Sequence, residues 1–236
     1  KNSNKIFFSI NNLNEYSSSK INLKSNNKIF NNLAYIIFTS GSTGEPKGVK
    51  ISRSNLDHYI KWITKYFNAK IGDNFTQVSP LGFDLSVAEM FSSLCSGGTL
   101  FPIENLYDKL FLGKFIKINK INFLTCVPSS IEVMYNGNSL NHGNLKTLKH
   151  IFFCGETLLK SQLKKLFDCK LKSKITNTYG PTETTVSCTF INITKKNFLK
   201  ITENETSIGK PIKNMKILLI KKGKINQRNG EIFIKG

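Results

Sequence analysis

Thr39-Ser40-Gly41-Ser42-Thr43-Gly44-Glu45-Pro46-Lys47-Gly48 gathers four hydroxyls, three glycines and a lysine within ten residues. Glycines let backbone N–H groups approach an anion, hydroxyls add donors and lysine adds positive charge, so the chemistry implied is phosphate binding. The spacing departs from GxxxxGK[ST]: Glu45-Pro46 precedes the lysine, and Gly48 stands where Ser or Thr would follow it. An ordinary flexible surface loop is the competing reading. A second stretch, Asn177-Thr178-Tyr179-Gly180-Pro181-Thr182-Glu183-Thr184-Thr185, offers a ring that can stack on a base and a hard carboxylate, Glu183, suited to Mg²⁺. Tyr-Gly-Pro is also a good turn. Asp84 stands between Phe83 and Leu85, and a carboxylate in apolar surroundings needs a partner. It either caps a helix or awaits a cation; the residues alone favour the cap.

These groups need elements to position them. Ala34 to Phe38 reads as a buried strand entering the hydroxyl-rich loop, with Val49 to Ser52 returning from it. Ser54 or Asn55 can cap a helix carrying Leu56, Tyr59, Ile60, Ile63 and Phe67 at helical spacing. Strand Phe75 to Val78 follows, then a helix from a Ser86 cap through Leu94, and strand Thr99 to Phe101. The pattern repeats with a helix near 108–118, strand 121–126, a helix opened by Pro128 and running to Tyr135, and a polar loop 136–147. Strand Ile151 to Cys154, helix Leu158 to Phe167 and strand Lys174 to Thr178 complete it. Alternating strands and helices with short loops predict an α/β sheet covered on both faces. Ligands in such sheets gather at the carboxyl ends of strands, where the Asn177 stretch would sit. After residue 185 the chain turns to strands, at 186–193, 215–220 and 231–234, a β-rich tail without repeats or an interdomain linker.

At 236 residues, 39% hydrophobic and 11% aromatic, the chain has matter for a core. Its longest apolar runs, such as Ile217-Leu218-Leu219-Ile220, fall far short of the roughly 18 residues that span a bilayer. Five cysteines fall singly without a CxxC, which argues against a disulfide framework or a zinc site and for reduced thiols in the cytoplasm. No signal peptide is visible in the opening Lys1-Asn2-Ser3-Asn4-Lys5. The net charge of +19 invites a nucleic-acid partner, yet 32 of the 34 basic residues are Lys, scattered beside 27 Asn. Phosphate and base recognition favour the Arg fork, and only Arg53 and Arg228 supply it. An AT-rich coding bias accounts for the same excess, so no nucleic-acid partner is expected.

Together the three stretches resemble one family. Thr39 to Gly48 is similar to the phosphate-loop signature of adenylate-forming (AMP-binding) enzymes, and Asn177 to Glu183 to their adenine and magnesium motif. Phe83-Asp84-Leu85-Ser86 resembles the amino-acid adenylation branch, and Ser207-Ile208-Gly209-Lys210-Pro211 and Gly230 to Gly236 resemble the next two landmarks in order. Phe153-Cys154-Gly155-Glu156, and Ser52 where peptide synthetases commonly have His, bring the likeness closest to the D-alanine–carrier protein ligases.

The resemblance implies ATP and Mg²⁺ as cofactors, a small neutral amino acid (D-alanine favoured) as substrate, and a carrier protein with a phosphopantetheine arm as partner. Thr39, Ser40, Gly41, Ser42, Thr43, Gly44 and Lys47 would hold the triphosphate. Gly155, Glu156 and Thr157 with Asn177, Thr178, Tyr179 and Gly180 would hold the adenine, and Thr182 and Glu183 the α-phosphate and metal, with Lys47, Thr182 and Glu183 as the catalytic set. The amino-acid pocket would comprise Asp84, Leu85, Ala88, Thr125, Phe152, Cys154, Thr178, Val186 and Ser187, with Asp84 receiving the α-ammonium. Residues 1–32 would be a polar leader ending a missing upstream part. Residues 33–236 would be part of the large N-terminal lobe, and the small C-terminal domain would be absent, as would the ribose-binding Asp and C-terminal Lys of the family. An acyl-CoA ligase of the same superfamily, needing no Asp84, and a non-catalytic remnant of a split gene are the rival readings.

Overall fold

The computed structural model describes residues 32–40, 45–226 and 228–236. Gly41, Ser42, Thr43 and Gly44, and residues 1–31 of the leader, lie outside the described residues. The strand expected at 34–38 is longer: β1 (Leu33–Ser40) pairs antiparallel with β2 (Pro46–Ser52), so that Thr39 faces Lys47 and Ser40 faces Pro46. The hydroxyl-rich loop is therefore shorter than its ten residues imply. Nor is β1 a buried strand. Only Ile37 is buried, and Phe38 on the alternate register is 67% exposed, because a two-stranded ribbon covers one face.

The main sheet has seven strands: β3 (Asn74–Gln77), β4 (Thr99–Pro102), β5 (Phe123–Cys126), β6 (His150–Phe153), β7 (Lys174–Tyr179), β8 (Thr189–Ile193) and β9 (Lys210–Pro211). Their order is β4-β3-β5-β6-β7-β8-β9, parallel through β7 and antiparallel at β8 and β9. The strand order reverses between β3 and β5, the kind of crevice where open α/β sheets take ligands. A separate sheet, β11-β10-β12, forms from β10 (Lys216–Lys221), β11 (Lys224–Asn226) and β12 (Glu231–Lys235).

Helices cover both faces of the main sheet, as the alternation predicts. Along β5 and β6 the side chains alternate. Phe123 and Phe152 pack with α1 (Arg53–Phe67) and α2 (Leu85–Leu94) on one face. Leu124, Cys126, Ile151 and Phe153 pack on the other face with α4 (Leu112–Ile118), α5 (Ser129–Asn136) and α7 (Lys160–Asp168). Trp62 on α1 stacks on Tyr66 at 5.4 Å between ring centroids and reaches Phe190 at 5.5 Å and Phe152 at 6.4 Å.

Several boundaries correct the sequence reading. The cap of α1 is Ser52, whose Oγ accepts from the Asn55 N–H at 3.2 Å, because β2 runs extended to that residue. Ser86 lies inside α2 and donates to the Phe83 carbonyl at 2.7 Å, so it is not the cap. The helix expected near 108–118 breaks at Phe111 into α3 (Leu106–Leu110) and α4. Leu106 and Leu110 face solvent while Leu112 and Ile116 are buried, and no single helix serves both registers. The polar loop 136–147 holds a short helix, α6 (His142–Leu145), capped by Asn141. Strand β8 starts at 189, not 186, because Thr185 and Val186 both take left-handed backbone angles, φ 65° and 68°. A last short helix, α8 (Phe198–Ile201), precedes β9.

Candidate functional site

The expected amino-acid pocket is gathered at the carboxyl ends of β5, β6 and β7, against the start of α2. Leu85, Ala88, Phe152, Cys154 and Val186 belong to one buried cluster. Thr125, Thr178 and Ser187 are buried with exposures of 3% or less. A hydrogen-bond chain ties them: the Ser187 hydroxyl donates to Thr178 Oγ1 at 3.3 Å, and Thr178 donates to the Phe153 carbonyl at 2.7 Å. Cys154 Sγ lies 3.7 Å from the Val186 carbonyl and 3.6 Å from Ser187 Oγ. Burial raises the Cys154 thiol above its ordinary range, so it is a neutral wall and not a nucleophile.

Asp84 does not cap α2. It occupies the N-cap position, but its side chain makes no capping bond, and Oδ2 is buried with no hydrogen-bond partner among the described residues. Burial pushes its carboxyl above the aspartate range, a rise that the Val186 N–H and the Thr182 hydroxyl partly offset. A half-buried carboxylate with an unfilled valence fits a cation arriving from outside the fold. The other residues brought to the pocket carry no charge.

A second cavity, of about 340 Å³, opens beside it and is lined by Gly155, Glu156, Thr157, Asn177, Thr178, Tyr179 and Gly180. These are the residues expected to hold the adenine. Asn177 donates Nδ2–H to the Ser207 carbonyl at 3.0 Å, while its buried Oδ1 has no partner among the described residues. The Glu156 carboxylate is occupied, accepting from the Ser129 N–H at 2.9 Å and the Ser129 hydroxyl at 3.0 Å, so only its backbone is free for a ligand. Gly155 takes φ +92°, which turns the chain sharply away from β6.

The Thr182–Thr184 segment forms a 3₁₀ turn against which β2 packs, so the hairpin carrying Thr39, Ser40 and Lys47 approaches Thr182 and Glu183. Lys47 and Glu183 are exposed. Among the described residues the ion pairs are Lys61–Asp57, Lys149–Asp73 and Lys165–Glu132, so neither Lys47 nor Glu183 is engaged in one. Among those residues, too, no group of three or more His, Cys, Asp and Glu is gathered to hold a metal, and no helix is long and apolar enough to cross a membrane.

Two neighbours escaped sequence reasoning. Tyr35 on β1 and Tyr59 on α1 bury hydroxyls that have no partner among the described residues; burial raises the pKa of both, and the Asp84 charge adds to it. Tyr59 read as one more apolar position of an amphipathic helix, and nothing in its spacing marked it. Glu89, 1% exposed, also went unremarked; it accepts from the Val78 and Ser79 N–H groups at 2.7 and 3.1 Å and pins the loop that leads to Asp84.

This geometry has counterparts in known proteins. The D-alanine--D-alanyl carrier protein ligase of Bacillus licheniformis is 37% identical over 206 residues, covering 86% of this chain and 41% of that protein. The ligase of the same name from Staphylococcus epidermidis is 40% identical over 172 residues, 70% of this chain and 35% of its own. The chain thus spans about two fifths of the curated relatives it matches. Among solved structures, the Vibrio cholerae adenylation domain AlmE in complex with glycyl-adenosine-5'-phosphate superposes with TM-score 0.74 at 32% identity, over 82% of this chain and 36% of that one. IdnL7 gives TM-score 0.80 at 25% identity, over 86% and 41%. The family model for AMP-binding enzymes matches residues 9–236, a span that takes in the whole described sheet and both cavities, and this chain belongs to that family.

Proposed function

We propose that this chain provides the nucleotide and amino-acid sites of a ligase that activates a small neutral amino acid, D-alanine favoured, with ATP. Residues 33–236 then form part of its large domain. An amino-acid carboxylate oxygen attacks the α-phosphorus of ATP, pyrophosphate leaves, and aminoacyl-AMP forms. A phosphopantetheine thiol of a carrier protein then attacks the acyl carbon, giving the thioester and releasing AMP. The catalytic work is positioning and charge neutralisation. Thr39, Ser40, Ser42, Thr43 and Lys47 hold the triphosphate tail, and Thr182 orients the α-phosphate. Tyr179 and the Gly155–Thr157 backbone sandwich adenine, whose amino group meets Asn177. A hard cation such as Mg²⁺ supplies charge against the phosphates. Glu183 is the residue that would hold it. ATP supply places the reaction in the cytoplasm.

The observation that carries the reading is the half-buried Asp84 carboxylate, whose Oδ2 has no hydrogen-bond partner among the described residues, in a pocket without another charge. The relatives' name and the glycyl adduct of AlmE support the substrate class. The test is binding of alanine, and of a short fatty acid, to the chain and its Asp84→Ala variant. Breaking a buried ion pair costs about 3–5 kcal/mol, roughly two to four decades in affinity. Alanine binding should fall by that order while ATP binding holds. Unchanged alanine binding, or preference for the fatty acid, would sink the reading in favour of an acyl-CoA ligase.

A further inference from the structure

Asp84 sits on a stretch of chain whose two ends are fastened by one buried carboxylate. Strand β3 ends at Gln77, and the next two residues, Val78 and Ser79, give their N–H groups to Glu89 Oε1 and Oε2 at 2.7 and 3.1 Å. Glu89 is 1% exposed and lies on α2, next to Ala88 and one helical turn past Leu85. Both of those residues belong to the pocket cluster. Between the two ends, the Phe83 N–H donates to the Pro80 carbonyl at 3.0 Å. The Ser86 hydroxyl and N–H both donate to the Phe83 carbonyl, at 2.7 and 3.1 Å. The backbone from Val78 to Glu89 is thus a closed, internally braced loop, and Asp84 lies within it.

The Asp84 side chain does not brace this loop, because it makes no capping bond to α2. Its position is inherited from the backbone. Ser86 braces only the turn beside it, whereas Glu89 ties the helix to the end of a sheet strand. Among the described residues, its two bonds are the hydrogen bonds that join residues 74–79 to α2. An apolar side chain of similar size would fill the core as well as a buried carboxylate. What the carboxylate adds is a fixed spacing between the start of α2 and the end of β3. A carboxylate that must meet an ammonium at contact distance depends on such spacing, since small misplacements of a positioning group weaken the interaction steeply.

We propose that Glu89 is a positioning residue for amino-acid recognition, which fixes the entry of α2 against β3 and so holds Asp84 where the α-ammonium arrives. This rests on the reading of Asp84 as the ammonium site. Glu89→Gln keeps the length of the side chain but turns one acceptor oxygen into an NH₂ donor facing an N–H, and that end of the clamp opens.

The probes are the non-hydrolysable alanyl-sulfamoyl adenosine and its des-amino counterpart, propionyl-sulfamoyl adenosine, titrated against the chain and its Glu89→Gln, Asp84→Ala and doubly substituted variants. Glu89→Gln should weaken the alanyl analogue roughly ten- to a hundredfold and leave the propionyl analogue as it was. In the Asp84→Ala background the same change should have no further effect on their ratio, because a residue that acts through Asp84 has nothing left to act on. A merely structural role would weaken both analogues together; an unchanged ratio, or effects of the two substitutions that add, overturns the proposal. Should Glu89→Gln not fold, the unaltered chain decides. The alanyl analogue should slow hydrogen exchange at the Val78 and Ser79 amides more than the propionyl analogue does, since coupling between the clamp and the ammonium site is reciprocal. Equal protection by the two overturns the proposal. If Asp84→Ala narrows the ratio and Glu89→Gln does not, the amino-acid reading stands without this inference. If neither analogue binds, or Asp84→Ala leaves their ratio unchanged, that reading fails and takes this inference with it.

Discussion

Gly180 runs so close beneath Val186 that a Cβ on the glycine would stand 2.6 Å from the valine carbonyl oxygen. The same Cβ would lie 2.7 Å from Ser187 Cα and 2.9 Å from the Cys188 nitrogen. The pocket wall formed by Val186 and Ser187 therefore rests on bare backbone. Gly180→Ala should displace that wall, costing about 1–3 kcal/mol in stability, as overpacking does. Amino-acid binding should weaken with it. Unfolding midpoints in urea, beside alanine titrations, check this; an unchanged midpoint and affinity would show that the wall yields freely.

Glu89 gives the chain a pH-dependent stability. Burial pushes its carboxyl up to about 8 from 4.5, despite the two N–H groups that favour the charged form. Because the folded pKa is raised, this group's contribution is fully present below about pH 4.5. It is lost as pH rises through about 8, since the folded chain holds a proton that the unfolded chain has released. Glu89→Gln should flatten that part of the stability profile. Parallel slopes for the two proteins between about pH 5 and about 8 would refute the assignment.

Glu183 is exposed, so Glu183→Gln should move the unfolding free energy by no more than about 0.5 kcal/mol. Removing the charge takes away the ligand a hard cation needs. The expected result is ATP binding that no longer tightens when Mg²⁺ is added, measured by titration with and without the metal. A variant that keeps the full Mg²⁺ gain would remove Glu183 from the metal site.

All five cysteines are free, and Cys95 alone among them is exposed. Burial raises the thiols of Cys126, Cys154, Cys169 and Cys188, so few of these are thiolates at neutral pH. A thiol-alkylating reagent should therefore label the native chain at Cys95 first, leaving the rest until the chain unfolds. Peptide mass mapping gives the answer. Early modification of Cys154 would mean that its wall opens in solution.

Much of this was legible in the chain because period and punctuation carry it. The apolar runs at 121–126 and 151–154, spaced by helical patterns, announce parallel strands buried on both faces, and the observed strands lie within a residue or two of that reading. What stayed hidden depends on contacts distant in sequence. Whether Asp84 caps its helix or stands empty is decided by where Val186 and Thr182 come to lie, about a hundred residues on. Strand β9 has two residues and β11 three, too short to show a period. The left-handed pair Thr185–Val186 falls on β-branched residues, which sequence rules assign to strand, and so the tail strand read three residues too early.

The chain has one tryptophan, and α1 delivers it against both Phe152 and Phe190, one helical turn from Tyr59. Its emission therefore belongs to a single address, and light absorbed by the tyrosines around it drains to that address. Any ligand that shifts Phe152 or Tyr59 alters the colour and yield of Trp62 with no label attached. The pocket carries its own lamp, and occupancy can be followed by eye of the fluorimeter while the chemistry stays untouched.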